Sequence, residues 1–170
     1  NSPFLLGLVA MFGPLPVLIV SPIGGVLADN LNKRTVVIIT QTTAMVLALI
    51  LGTLILTKQV QYWHIAVLAS ILGITMSIDA PTRQSFVVEM VGKKDLLNAV
   101  ALNSAIFNLA RILGPALAGL IISAIGLVLC FYVNAISFLA VIAGLLMMKG
   151  NFAPANKRQG SMVSDIRQGF

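Results

Sequence analysis

Apolar residues run along this chain in five long blocks separated by short polar interruptions. A helix of about 20 apolar residues crosses the hydrocarbon of a bilayer, and the blocks have about that length: 4–28, 35–57, 63–80, 96–124 and 127–148. From Ile112 to Met148 there is no charge at all. At about 1.5 Å per residue that run is too long for one crossing. A tight turn at Ala124-Ile125-Gly126-Leu127 divides it, with Gly126 supplying a permissive backbone. The first block contains Pro14, Pro16 and Pro22, which neighbouring helices in a membrane bundle tolerate. Gly7, Gly13, Gly24 and Gly25 leave room there for close helix contacts. Gln41 is the only large polar residue of the second block. Lys58-Gln59-Val60-Gln61 reads as a turn, and Tyr62 and Trp63 mark the mouth of the third block at the membrane interface, beside His64.

A charged segment, 79–95, follows the third block and holds Asp79, Arg83, Glu89, Lys93, Lys94 and Asp95. Ser85-Phe86-Val87-Val88 within it reads as a short helix lying on the membrane surface and ended by Gly92. After Lys149 a polar linker, Asn151 to Gly160, leads to Ser161, a cap for an amphipathic helix in which Met162, Val163, Ile166 and Phe170 share one face.

The pattern makes this an all-α membrane protein, and composition agrees. The chain has 170 residues, 58% hydrophobic and 9% charged, against about 25% charged in soluble domains. One soluble core of this size could not hide so much apolar surface. The blocks are also too long for barrel strands of about ten alternating residues. The net charge of +6 would raise nucleic acid as a partner in a soluble protein. Here the bases sit in short loops, so the partner is the lipid bilayer and no nucleic acid is expected. Loops 29–34 and 79–95 and the tail 149–170 fall on one side and hold nine of the eleven Lys and Arg residues. Lys58 lies opposite and Arg111 lies inside a block. The positive-inside rule places the rich side in the cytoplasm of a cell (inner or plasma) membrane. That topology starts the chain outside and calls for a preceding helix. With Asn1-Ser2-Pro3 at one end and an opening helix at the other, a piece of a longer protein is expected. Cys130 lies inside the fifth block and reads as a packing residue.

Several residues carry candidate chemistry. Asp29 stands beside Lys33 and Arg34 at the end of an apolar block, where a carboxylate can hold a loop by charge-assisted hydrogen bonds; the plainer reading is a solvated topology loop. Asp79 and Arg83 have the spacing of a helical ion pair with Pro81 between them. Asp79 could instead face Lys33 or Arg34 in a shared network with Glu89. Arg111 lies deep in the fourth block, where a charge is costly and faces a cavity or a partner. Ser104, Asn108, Arg111 and Pro115 fall on one helical face. Arg111 reads as a cavity-lining base for an anionic substrate or partner of an acid on another helix, or else as a structural arginine bonded to carbonyls. Gly114 with Ala118, and Pro115 with Gly119 and Ser123, make small-residue faces for helix packing. Asn134 and Ser137 read as interhelical hydrogen-bonding residues, and His64 as an interface residue. No acid lies in mid-span. No nucleophile–base set or metal cluster points to an enzyme, a metal or a cofactor.

Three stretches resemble a known family. Gly25-Val26-Leu27-Ala28-Asp29 with Lys33-Arg34 is similar to the loop between helices two and three of the major facilitator superfamily, with Asn30 where arginine and Asn32 where glycine is usual. Ala110-Arg111-Ile112-Leu113-Gly114-Pro115-Ala116-Leu117-Ala118-Gly119 resembles the glycine–proline motif of helix five in the antiporter branches, with Ala110 and Ala118 where glycines are usual. Asp79-Ala80-Pro81-Thr82-Arg83-Gln84-Ser85-Phe86, with Glu89 and Val91, then Asn98-Ala99-Val100-Ala101-Leu102-Asn103-Ser104, resembles the branch of enterobactin exporters and macrolide-efflux proteins. The resemblance implies helices two to six of the amino-terminal six-helix bundle of a twelve-helix fold, plus the start of its central loop. It implies proton-coupled export of a siderophore, macrolide or other small amphipathic drug by alternating access. Gly25, Asp29, Lys33 and Arg34 would form a latch between the two halves. Gly114, Pro115 and Gly119 would form the element linked to antiport and to sealing against leaks. The partners implied are a small-molecule substrate and the missing helices of the same transporter. The alternatives are a truncated, non-transporting membrane piece or scaffold, and a lysophospholipid carrier.

Overall fold

A computed structural model describes residues 7, 11–21, 31–92 and 94–148. The first block enters this description as a helix over 14–21; Gly24, Gly25, Asp29 and the amphipathic segment after 160 lie outside the described residues. Four further helices follow, each long and apolar enough to cross a membrane: α1 (Lys33–Leu56), α2 (Tyr62–Val91), α3 (Leu96–Ile125) and α4 (Leu127–Met147).

Local chemistry sets the ends of these helices. Asn32 caps α1, its Oδ1 accepting from the Thr35 amide at 3.2 Å. At the other end Lys58 adopts a left-handed φ of 56°. Its amide donates to the Ile55 carbonyl at 3.1 Å, and the Gln59 amide donates to the Leu54 carbonyl at 3.0 Å. That pair of bonds is a Schellman cap, a role glycine usually fills. At the start of α2, His64 Nδ1 accepts from the Gln61 amide at 3.1 Å, and Trp63 Nε1 donates to Gln61 Oε1 at 2.7 Å. Gly126, at φ 86°, serves as both the last cap of α3 and the first cap of α4, the sharp turn its position in the uncharged run predicts.

The third apolar block does not stop at Ala80. Helix α2 continues through Pro81 to Val91, so the stretch read as a separate surface helix forms its last turns. Proline removes one backbone donor, but a bundle re-satisfies such gaps. The carbonyl that loses its helical donor is that of Ser77; one residue on, the Thr82 hydroxyl donates to the Ile78 carbonyl at 2.6 Å, and Asp79 and Arg83 pair across the proline turn. At about 1.5 Å per residue, the 30 residues of α2 exceed the hydrocarbon thickness and reach beyond it.

Helix α1 is the centre of the packing, lying against α4 and α2, while α3 leans mainly on α4. Its buried stripe runs Val36, Val37, Thr40, Gln41, Ala44, Leu47, Ala48, Gly52, the three-and-four spacing of one helical face. Small residues bring the backbones together. A methyl on Gly52 would stand 3.2 Å from Phe131 Cβ, and a methyl on Gly73 would run into the backbone carbonyl oxygen of Gly13. Thr53 Oγ1 and Tyr132 Oη, 3.2 Å apart, add a hydrogen bond between α1 and α4. No residue of α3 is buried.

Candidate functional site at the basic end of the bundle

Lys33 and Arg34 occupy the first turn of α1, with no acid beside them in that turn. A cation at the positive end of a helix dipole is unfavourable by about 0.3–1 kcal/mol, so each base needs a partner elsewhere. Lys33 Nζ forms an ion pair with Glu89 in the last turns of α2; their side chains are 8% and 28% exposed. Arg34 Nη2 donates to the carbonyl of Leu146, at 3.0 Å, in the last turn of α4. That is the negative end of the α4 dipole, where a cation is favoured. Two adjacent bases thus tie the start of α1 to the ends of two other helices.

One step deeper, Asp79 gathers four donor contacts. Its Oδ1 accepts from Gln41 Nε2 at 3.1 Å and lies 2.5 Å from Thr40 Oγ1, whose single hydrogen is shared with the Val37 carbonyl at 2.9 Å. Its Oδ2 accepts from Arg83 Nε at 3.2 Å and Nη2 at 3.0 Å. Of the two partners the sequence leaves open for Asp79, the geometry supplies Arg83, and Lys33 turns to Glu89. Asp79 lies 12 residues before the end of α2, roughly 18 Å along its axis. The sequence reading puts this carboxylate in a loop; it stands within a membrane-length helix. The sequence pattern does not mark Thr40, and it gives Gln41 no role. The signal for Gln41 is its place as the one large polar side chain of an otherwise apolar block.

Asp79, Arg83, Thr40 and Gln41 close one end of a cavity of about 480 Å³ between α1, α2 and α4; its walls include Ala44, Leu47, Leu72, Phe131 and Phe138, and Asn134 also reaches it. Ser104, Asn108 and Arg111 line no part of it. All three are exposed on α3, where Asn108 Nδ2 donates to the Ser104 carbonyl at 2.8 Å. Gly114, Pro115 and Gly119 are exposed on the same helix, and nothing lies within 4 Å of where a methyl on either glycine would stand. Of the loop read as a latch, Lys33 and Arg34 are described and Gly25 and Asp29 are not.

Membrane-length helices packed into one bundle, with the described ion pairs gathered at one end and apolar faces turned outward, define a multi-pass α-helical membrane protein. The chain belongs to the transmembrane secretion effector family of the major facilitator superfamily, whose sequence pattern matches residues 1–170. The resemblance carried by the three motifs is thereby shown, and the helices are part of the major facilitator bundle. Among its relatives, the uncharacterized MFS-type transporter YfiS of Bacillus subtilis is 28% identical over 99% of this chain and 40% of its own length. The staphyloferrin A transporter of Staphylococcus aureus is 30% identical over 81% of this chain and 35% of its own length. The multidrug efflux pump Tap of Mycolicibacterium fortuitum is 30% identical over 86% of this chain and 38% of its own length. The chain therefore spans about two fifths of the length of these relatives. No solved structure matches it.

Proposed function

We propose that this chain is part of the amino-terminal half of a secondary active exporter that moves small amphipathic molecules by alternating access, coupled to protons. The observation that carries the reading is the tie at the basic end. Lys33 to Glu89 and Arg34 to the Leu146 carbonyl join α1, α2 and α4 at one level, which suits a half that rocks as one body. The basic ends face the cytoplasm of the cell membrane, as the positive-inside rule requires. Lys33 and Arg34 act with Gly25 and Asp29 as a latch against the other half, and Asp79, Arg83 and Glu89 form the intracellular charge network behind it. Ser104, Asn108 and Arg111 on the exposed face of α3 line the transport path. Gly114, Pro115 and Gly119 let a neighbouring helix approach closely. Two relatives are named for a siderophore and for drugs, which supports a substrate that is small, amphipathic and exported.

The test uses the full-length transporter in inverted membrane vesicles. Uptake of a fluorescent drug, a macrolide or a siderophore is measured with and without an imposed proton gradient. Gradient-dependent uptake of at least one, abolished by a protonophore, is expected. Uptake of none, or uptake indifferent to the gradient, would overturn the coupled-exporter reading.

A further inference from the structure

The cavity between α1, α2 and α4 is a long slot. Along α2 its lining runs from Ile65 to Arg83, about 27 Å on the helix axis, close to the thickness of bilayer hydrocarbon, about 30 Å. Met76 and Asn134 line the slot and are exposed, so it is open. Asn134 stands about 10 Å past the Gly126 turn, at hydrocarbon depth in a run without charge. Its backbone carbonyl accepts from Ser137 Oγ at 2.7 Å, but among the described residues its side-chain amide has no partner. A lipid tail offers that amide nothing to bond, and a compact molecule covers only part of a slot of bilayer length. A spanning helix with a hydrogen-bonding side chain near its middle meets both requirements. The first block is not that helix: its described residues, 11–21, stay out of the slot and meet α2 beside it, at Gly73. The relatives carry more than half of their length outside the part this chain matches. Basic ends in the cytoplasm call for a span before the first block, and consecutive elements usually neighbour each other in space.

We propose that the slot seats the membrane span that precedes the first block, with Asn134 as its hydrogen-bonding contact on α4. The Asp79–Arg83 pair then lies at the cytoplasmic end of that span. The inference rests on the reading of this chain as part of a longer transporter, and it is independent of substrate and of proton coupling.

Photocross-linking of the full-length transporter in native membranes tests it. Benzoylphenylalanine replaces Phe138, which lines the slot, and, as a control, Phe107, which is exposed on α3. The probe at 138 is expected to give as its main product a cross-link to a spanning peptide N-terminal to residue 1, identified by mass spectrometry, and the probe at 107 is not. Cross-linking from 138 to lipid, to a small molecule, to residues 1–30 or to the second half of the transporter overturns the proposal, as does no cross-link at all. Should the variant at 138 not insert, the same probe at Leu72, on the opposite wall, is decided by the same outcomes. For the contact itself, Asn134→Cys in a Cys130→Ser background is paired with cysteines placed one at a time along the preceding span. Disulfides are expected at about every third or fourth position, on one face of that span; none at any position overturns the contact. Transport is not the readout, so failure here and failure of the exporter reading are separate results.

Discussion

Asp79 should matter more to the bundle than the arginine it pairs with. Truncating it to alanine removes the acceptor of Gln41 Nε2 and one of the two acceptors near the Thr40 hydroxyl. Thr40 keeps the Val37 carbonyl at 2.9 Å, so its loss is small. Gln41 is 7% exposed, and among the described residues its amide has no other acceptor. A buried donor left without its acceptor costs about 1–3 kcal/mol, although interhelical hydrogen bonds in membranes average only about 0.6 kcal/mol and reach about 1.7. The Arg83 side chain is 43% exposed, and an ion pair that open contributes under about 1 kcal/mol. Asp79→Ala, which loses both, is therefore expected to lower unfolding free energy by about 1–2.5 kcal/mol. Arg83→Ala, which leaves Asp79 with Thr40 and Gln41, should lower it by about 1 or less. Steric-trapping or thermal unfolding in detergent reads the difference, and a cycle with Gln41→Leu isolates the amide bond. A loss in Arg83→Ala equal to or larger than that in Asp79→Ala would refute this reasoning, because it would place the stabilisation in the ion pair rather than in the buried contacts to α1.

Other outcomes follow from single contacts. Gly73→Ala should destabilise by about 1–3 kcal/mol, since its methyl meets the Gly13 backbone, which cannot swing aside; a thermal melt unchanged from the parent would contradict the packing. Lys58→Gly should stabilise by up to about 1 kcal/mol because it relieves a left-handed backbone at a helix cap, read as a small rise in Tm. Arg111→Ala, at an exposed position of α3, should reduce transport of anionic substrates; unchanged transport would remove Arg111 from the path.

The apolar blocks foretold most of the fold. The blocks at 35–57, 96–124 and 127–148 match α1, α3 and α4 to within two residues at each end, since membrane helices are written as uninterrupted hydrocarbon. Gly126 marks a turn in sequence and in space for the same reason: the run before and after it is too long to cross once. The exception is α2, where the charges between Asp79 and Glu89 read as a loop. They are helical because each has a protein partner, Asp79 with Arg83, Thr40 and Gln41, and Glu89 with Lys33. Such partners lie 38 to 112 residues away for Gln41, Glu89 and the Leu146 carbonyl. Local periodicity carries no trace of contacts at that separation. The pair at Asp79 and Arg83 was legible as a spacing of four, but Pro81 obscured that the helix carries through it.

The arrangement of basic ends in the cytoplasm underlies the whole account, and thiol labelling tests it most directly. In a Cys130→Ser background of the full-length transporter, single cysteines replace Leu31, beside Lys33 and Arg34, and Val60, in the turn before α2. A membrane-impermeant maleimide applied to intact cells is predicted to label the cysteine at 60 and to leave the one at 31 untouched, with the pattern reversed in inverted vesicles. Labelling of position 31 from outside intact cells, with position 60 protected, would contradict it.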